Sequence, residues 1–320
     1  MRTGDTITLA HGAGGKASAA LIETIFIDIF GAPNPGELTD SAILSLPGGR
    51  IAYTTDAYVV NPIRFPGGSI GDLAVNGTVN DLAVSGAIPT WLSAAFIIEE
   101  GLAIEELRGI VEDMRRAADR AGVKIVTGDT KVVPRGAGDK VFITTSGIGI
   151  VPPERSLGAS RVLAGDRLLL SGPIASHGMA VMIARGNLSF KAAIESDSAP
   201  VNGLVEALYA ALPPSQVHWM RDITRGGLAT VANELAADTD HGILLDDAAI
   251  PVADPVRGAC DMLGIDPLYV ANEGCFVAVI AADQAEPTLA ALRQAGADQA
   301  CLIGEVLADL PGLVAIRNAF

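Results

Sequence analysis

Aromatic residues are scarce in this 320-residue chain, at 4%, and long apolar runs are missing: the longest, such as FVAVIAA (Phe276–Ala282), are strand-sized. A membrane helix needs about 18 or more consecutive apolar residues, so no spanning segment is expected. The opening MRTGDTITLAHGAGG has no apolar core of the kind a secretory signal carries, which points to a cytoplasmic protein. The three cysteines, Cys260, Cys275 and Cys301, are far apart and form no CxxC. That argues against both a disulfide framework and a zinc site, and Cys260 and Cys301 read as small buried hydrophobes. Positive charge is also in short supply: 22 Lys and Arg face 37 Asp and Glu, a net charge of −15. A nucleic-acid partner is excluded on that balance. A polyphosphate ligand is admissible only where metal ions screen the repulsion.

What is present is small and aliphatic. Apolar residues make up 49%, a balance suited to helices packed on sheets, and the length allows two domains. Strands are expected at Ala42–Leu46, Ile51–Thr55, Trp91–Ile98, within VKIVTGD and within KVFITTSGIGIV. Helices are expected over Ile70–Ala87 and Ala103–Gly122. After PPERS the pattern restarts with a strand at Gly165–Gly172 and a helix from about His177. Helices at Gly203–Leu212, Gly227–Ala237 and Pro255–Leu263, and strands at Phe276–Ala282 and Cys301–Val306, complete it. The expected division is a glycine-rich segment 1–36, a domain 37–152 and a domain 153–320.

HGAGGKASA, from His11, packs glycines against a lysine as a phosphate-cradling loop does. The P-loop pattern needs a leading glycine and a hydroxyl after the lysine. Here those positions hold Ala10 and Ala17, so that reading fails twice.

Acidic residues recur at apparent strand ends and helix entries. Asp40 precedes the first strand, Asp56 follows one, and Asn80 and Asp81 sit among apolar residues of a helix. Asp129 follows a strand with Lys131 two residues on; Arg221, Asp222 and Arg225 precede a helix; Asn272 and Glu273 precede a strand. Each has a plain structural reading: Asp222 as a helix cap, Asp129 with Lys131 as a surface ion pair, strand-end acids as solvated groups. Asp81 resists it, because an acid on an apolar helical face is costly unless paired or metal-bound. Aspartate and asparagine oxygens are hard ligands of the kind magnesium takes.

The stretches FPGGSIGDLAVNGTVNDLAVSGAIPTWLSAAFIIEEGL, VTGDTKVVPRG, MRDITRGGLATVANELA and PLYVANEG resemble, in order and over nearly the whole chain, the HypE family of hydrogenase maturation proteins. That family lies in the ATP-binding superfamily of aminoimidazole ribonucleotide synthetase and selenophosphate synthetase. The resemblance implies a two-domain α/β (α+β) fold whose N-terminal domains pair into a β-barrel in a homodimer. It implies ATP and Mg²⁺ as cofactors, with the glycine-rich segment closing over nucleotide. It implies ATP-dependent dehydration of a C-terminal S-carbamoyl-cysteine to thiocyanate, a cyanide source for [NiFe]-hydrogenase iron. Partners on that pattern are the carbamoyltransferase HypF and a HypC–HypD iron-carrying complex.

Carried onto this sequence, Asp56, Asp81, Asp129 and Asp222 become the magnesium and ATP shell. Asp40, Asn80, Arg225 and Asn272 join as further ATP contacts, Lys131 as the phosphate-neutralising cation and Glu273 as the candidate base. The sequence ends VAIRNAF, whereas the family runs on to a terminal cysteine. A shortened chain, a tail beyond the sequence and a natural variant all stay open. Selenophosphate synthetase, the nearest enzyme rival, carries cysteine or selenocysteine in its N-terminal glycine-rich loop, and no cysteine here precedes residue 260. A non-catalytic, ATP-gated docking module is the reading from another class.

Overall fold

The computed structural model describes residues 6–8, 11, 20–31, 49–186 and 193–318. Lys16, Asp40 and the expected strand Ala42–Leu46 lie outside the described residues. The first sheet takes β1 (Arg50–Tyr58), β4 (Ile88–Glu99), β5 (Lys124–Val133) and β6 (Val141–Val151) in the order β1-β6-β4-β5. Its β4–β5 pair is parallel and the others antiparallel. A two-residue ribbon, β2 (Arg64–Phe65) with β3 (Gly68–Ser69), lies between β1 and the first helix in the chain.

The second sheet contains β7 (Arg167–Leu170), β8 (Val217–Asp222), β9 (Gly242–Asp246), β10 (Phe276–Ile280), β11 (Cys301–Leu307) and β12 (Val314–Arg317). They run in the order β12-β9-β11-β7-β10-β8. β10 is buried along its whole length, which explains its unbroken apolar sequence; a strand covered on both faces needs no alternation.

Beyond a π-helical stretch Ile22–Ile27 that runs into a helical turn Asp28–Phe30, the α-helices are α1 (Ile70–Val84), α2 (Ile104–Ala121), α3 (Ser176–Ala184), α4 (Asn202–Ala211), α5 (Gly227–Asp238), α6 (Asp254–Leu263) and α7 (Ala285–Gln294). α1 is the hinge of the architecture. Ser69 starts it: its Oγ accepts the Gly71 N–H at 3.1 Å, while its own N–H reaches Asp72 Oδ2 at 3.1 Å. Such reciprocal capping satisfies donors the first turn leaves open. Nearly every residue that follows is buried, because the helix lies between the first sheet on one side and β8 with α4 on the other. Even its polar Asn76, Thr78 and Asn80 are buried, so the helix has no free face. Its leucines and valines each contribute about 1.5–3 kcal/mol by leaving water.

Among the described residues, the first sheet is covered on one face only. Along β4, Leu92, Ala94, Phe96 and Ile98 point into the core with α1 and α2. The other face carries Ile51, Tyr53 and Ile97, exposed by 50%, 67% and 44%. Among the described residues no helix is long and apolar enough to cross a membrane.

Candidate functional site

A cavity of about 1140 Å³ opens along the seam between the two sheets, floored by α1. β1 supplies Asp56 and Tyr58, α1 supplies Asp81, the end of β8 supplies Asp222, and the loop before β10 supplies Glu273. Two placements differ from the expectation. Asp56 is inside β1 rather than after it, and it reaches the cavity because the two-residue period puts Thr54, Asp56 and Tyr58 on the helix-covered face. Asp129 is also inside its strand, β5, and sits on the opposite face. It pairs in register with Ala95, and Lys131 with Ile97, so both belong to the uncovered side, outside the cavity lining. The structure therefore brings together Asp56, Asp81, Asp222, Arg225 and Glu273 and leaves Asp129 and Lys131 apart from them.

The acids crowd one another, and the arginines of the lining, Arg185, Arg221 and Arg225, offset them only in part. Asp222 is 7% exposed. Burial, and then the charge of Asp81, pushes its carboxyl up to about 7. It is not a helix cap: the residue before α5 is Gly226, and no side chain caps that helix. Its neighbour Arg221 reaches Glu234 at 3.5 Å. Burial raises Asp81 too, and the Asp56 charge adds to it, partly offset by the Thr54 hydroxyl donating to its Oδ2 at 2.8 Å. Glu273 lies well above the usual carboxylate range, first from desolvation and then from Asp197, Asp222, Asp56 and Asp81. Tyr58 donates its hydroxyl to Asp56 Oδ2 at 3.0 Å, and burial beside that carboxylate holds the phenol well above its ordinary value. His177, in the same wall, is driven down to about 4 by burial and stays neutral.

Both expected asparagines are engaged with main chain. Asn272 Oδ1 accepts the Ala175 N–H at 2.6 Å, and its amide donates to the carbonyls of Ile223 and Val270 at 3.0 and 3.1 Å. Asn80 donates to the carbonyls of Ala199 and Glu273 at 3.1 and 3.2 Å and accepts the Val201 N–H at 2.8 Å. Neither lines the cavity; Asn80 holds the Glu273 carbonyl, and Asn272 braces the main chain at Ile223 and Val270, next to the lining residues Thr224 and Ala271.

Four residues of the site carry no expectation from the sequence: Thr54, Tyr58, His177 and Asp197. Thr54 and Tyr58 were legible in principle, since they flank Asp56 at a spacing of two on a strand. Asp197, in SDSAP, sits in no regular element and gave no periodic signal.

Cys275, two residues from Glu273, is fully buried and pushed up to about 12 by that burial. It is an inert thiol at the start of a core strand.

Among the described residues no three His, Cys, Asp or Glu side chains converge closely enough to hold a metal ion unaided. The donor set still suits magnesium, which usually keeps several waters and takes one or two carboxylates plus substrate phosphates. Asp81, Asp222 and Glu273, raised by burial and then by the charge of neighbouring acids, are groups a divalent cation would relieve.

Comparison with known proteins agrees with this architecture. The chain matches the AIR synthase related protein N-terminal domain over residues 38–151 and the C-terminal domain of the same family over 164–313. It is 49% identical over 321 residues to carbamoyl dehydratase HypE of Rhodobacter capsulatus, covering 99% of this chain and 93% of that one. A crystal structure of hydrogenase maturation protein HypE in complex with ATP superposes with a TM-score of 0.92 at 44% identity, over 98% of this chain and 95% of that one. HypE in a HypE–HypF complex gives 0.82 at 45% identity, over 94% and 97%. An acid-lined seam between two AIR synthase-like domains, in a chain nearly half identical to such enzymes along its whole length, places this protein in the HypE family of carbamoyl dehydratases.

Proposed function

We propose that this chain binds ATP with Mg²⁺ in the seam cavity and dehydrates an S-carbamoyl cysteine, held at the C-terminus of a polypeptide, to a thiocyanate. The observation that carries the reading is the convergence of Asp56, Asp81, Asp222 and Glu273 from four elements and both domains on one cavity. The balance is R–S–C(=O)NH₂ plus ATP giving R–S–C≡N, ADP and phosphate. ATP supplies the phosphoryl group that turns the amide oxygen into a leaving group.

The chain's own task is to hold and to take protons. Asp56, Asp81 and Asp222 would hold the metal, and Arg225 at the cavity rim would meet phosphate oxygens. Glu273 takes one nitrogen proton as the amide oxygen is phosphorylated, and the second leaves on the phosphate as the C–O bond breaks and the nitrile forms. In the free protein burial first, and then its acidic neighbours, raise Glu273 well above the usual carboxylate range; magnesium bound among those acids would lower its proton affinity, so loading the site would sharpen Glu273 as the base. The thiocyanate would serve as the source of the cyanide ligands of [NiFe]-hydrogenase iron.

Asp129 and Lys131 stand beside exposed Ile97 on the uncovered face of the first sheet. We place a second copy of the chain there, closing the two sheets into a β-barrel. Lys131 then acts on the phosphates at the shared boundary, with Asp129 beside it as a further metal ligand. HypF, which a relative meets in a solved complex, would deliver the carbamoyl group, and a HypC–HypD complex would receive the cyanide.

The test is Glu273→Gln in a chain extended to a terminal cysteine. ATP binding and carbamoyl acceptance should persist, while mass spectrometry of the tail finds the carbamoyl adduct and no product one water lighter. Normal conversion would remove Glu273 as the base. ATP binding without conversion in the unmutated extended chain would favour the ATP-gated docking module instead.

A further inference from the structure

The loop that carries Glu273 is held from behind by a segment with no regular structure, Ile194–Val201, which runs along the seam and is stitched to both domains. On the N-terminal side, the Ser196 N–H donates to the Pro66 carbonyl at 2.8 Å and Asn76 donates to the Ser198 hydroxyl at 3.1 Å. On the other side a single carboxylate does most of the work. Asp197 Oδ2 accepts the N–H of Glu273 at 3.1 Å and of Gly274 at 2.9 Å, while Oδ1 accepts the N–H of His177 at 3.0 Å. The Glu273 carbonyl is taken from the other side by Asn80 at 3.2 Å and by the Ala199 N–H at 3.3 Å. Both polar ends of the Glu273 peptide are thus fixed by groups outside its own loop. The packing is close enough to dictate residue type, since a Cβ at Gly274 would run into the Asp197 carbonyl.

We propose that Asp197 is the positioning residue for Glu273: by gathering the main-chain N–H groups of Glu273, Gly274 and His177 on one carboxylate, it aims the Glu273 side chain into the cavity. Its side chain does not line that cavity, so it acts through the peptide it holds. A carboxylate accepting two or three N–H groups is a strong, directional anchor. Without an acceptor there the loop would be free to shift, and displacement of a reacting group by about 1 Å can cost about 100-fold in rate. The arrangement also ties the base to closure of the seam, because the segment bearing Asp197 is bonded to the ribbon and α1 of the first domain.

The inference rests on Glu273 being the base, and the experiment separates the two. In the chain extended to a terminal cysteine, thiocyanate formation under saturating ATP and Kd for ATP are measured for Asp197→Ala and Asp197→Asn. The alanine variant should lose about 100-fold in kcat with Kd for ATP within about threefold, since Asp197 lies outside the lining. Asparagine keeps an oxygen where Oδ2 stands, so it should recover most of that loss. A merely structural Asp197 would instead lower Tm and raise Kd for ATP with kcat of the bound complex unchanged, which overturns the proposal. So does an asparagine variant as slow as the alanine one. Where Asp197→Ala does not fold, Asp197→Glu takes its place: it keeps the charge but displaces the carboxylate by one methylene, so it should be slower than Asp197→Asn, and the reverse order overturns the proposal. Glu273→Gln run alongside decides which reading fails. If it stalls while both Asp197 variants turn over normally, only the positioning role falls; if it converts normally, the base assignment falls first.

Discussion

The two faces of the first sheet carry the same residue types to opposite ends. On β1, Thr54, Asp56 and Tyr58 lie on the more buried face toward α1 and the cavity, while Tyr53, Thr55 and Ala57 alternate with them as exposed residues, Tyr53 and Ala57 also contributing to the cavity lining. On the inner side, acids are drawn out of water against one another, and Asp222 rises to about 7. On the outer side Asp129 and Lys131 stand exposed beside Ile97. The lesson is that a carboxylate's chemistry follows from what covers it, and the covering is decided by strand parity and by a helix buried on all sides.

The sharpest way to break this contrast is Asp222→Asn, for which we predict opposite effects on stability and binding. The folded-state pKa of Asp222 is raised above its unfolded value near about 3.9. The native state therefore holds a proton that the unfolded state gives up, and stability falls as pH rises from there through about 7. Above that window the buried charge opposes folding by a few kcal/mol, and the amide removes it. Ligand-free Asp222→Asn should show a higher Tm at pH 8 and little change at pH 4, while calorimetry finds binding of ATP with Mg²⁺ weakened by about 100-fold. An unchanged or lowered Tm at pH 8 would contradict the buried-acid reading; unchanged affinity would contradict the cavity as the ATP site. Asp81→Asn should follow the same pattern with a smaller gain, because Thr54 already compensates its charge.

A smaller effect is expected from the outer face. Tyr53→Asp puts charge on a residue 67% exposed, so a lone chain should tolerate it within about 0.5 kcal/mol. If this face seats a second copy, light scattering will show the dimer lost. The comparison sharpens with Lys131→Ala, which should slow turnover by about tenfold if the lysine acts across that contact. Combined with Tyr53→Asp it should add little, since the two would remove one interaction. Full additivity, or a monomer in the unmutated protein at micromolar concentration, would leave Lys131 a surface residue.

Long elements were legible because their patterns are strong. Ile70–Ala87 was expected as a helix and α1 spans Ile70–Val84; Gly227–Ala237 became Gly227–Asp238. Short strands such as Val217–Asp222, Gly242–Asp246 and Val314–Arg317 carry too few residues for their periodicity to stand out. At the site, residue type pointed to the acids, but the face each one occupies did not follow. Asp129 and Asp56 look alike in sequence, and only the pairing of their strands separates them. Asp197 was hidden for another reason. Its partners are main-chain N–H groups at residues 177, 273 and 274, which leave no side-chain signature.

The last prediction turns on one glycine inside α1. Gly77 is in mid-helix, where glycine costs about 1 kcal/mol relative to alanine, so helix propensity alone predicts that Gly77→Ala stabilises. The structure predicts the reverse. A Cβ at Gly77 would overlap the Tyr58 hydroxyl and lie 3.1 Å from Tyr58 Cζ, and Tyr58 is 8% exposed with little room to retreat. Overpacking of this kind costs about 1–3 kcal/mol, which outweighs the propensity gain. The ring would be forced off Asp56, ending the 3.0 Å hydrogen bond that fixes one carboxylate oxygen and leaves the other for the cavity. Gly77→Ala should therefore lower Tm and weaken ATP binding modestly. Tyr58→Phe loses the bond without the overlap, so it should weaken binding similarly while keeping more of the stability. Adding Tyr58→Phe to Gly77→Ala should restore part of the lost Tm, because the overlapping hydroxyl is gone. A double variant no more stable than Gly77→Ala alone would show that the clash lies elsewhere in the helix packing.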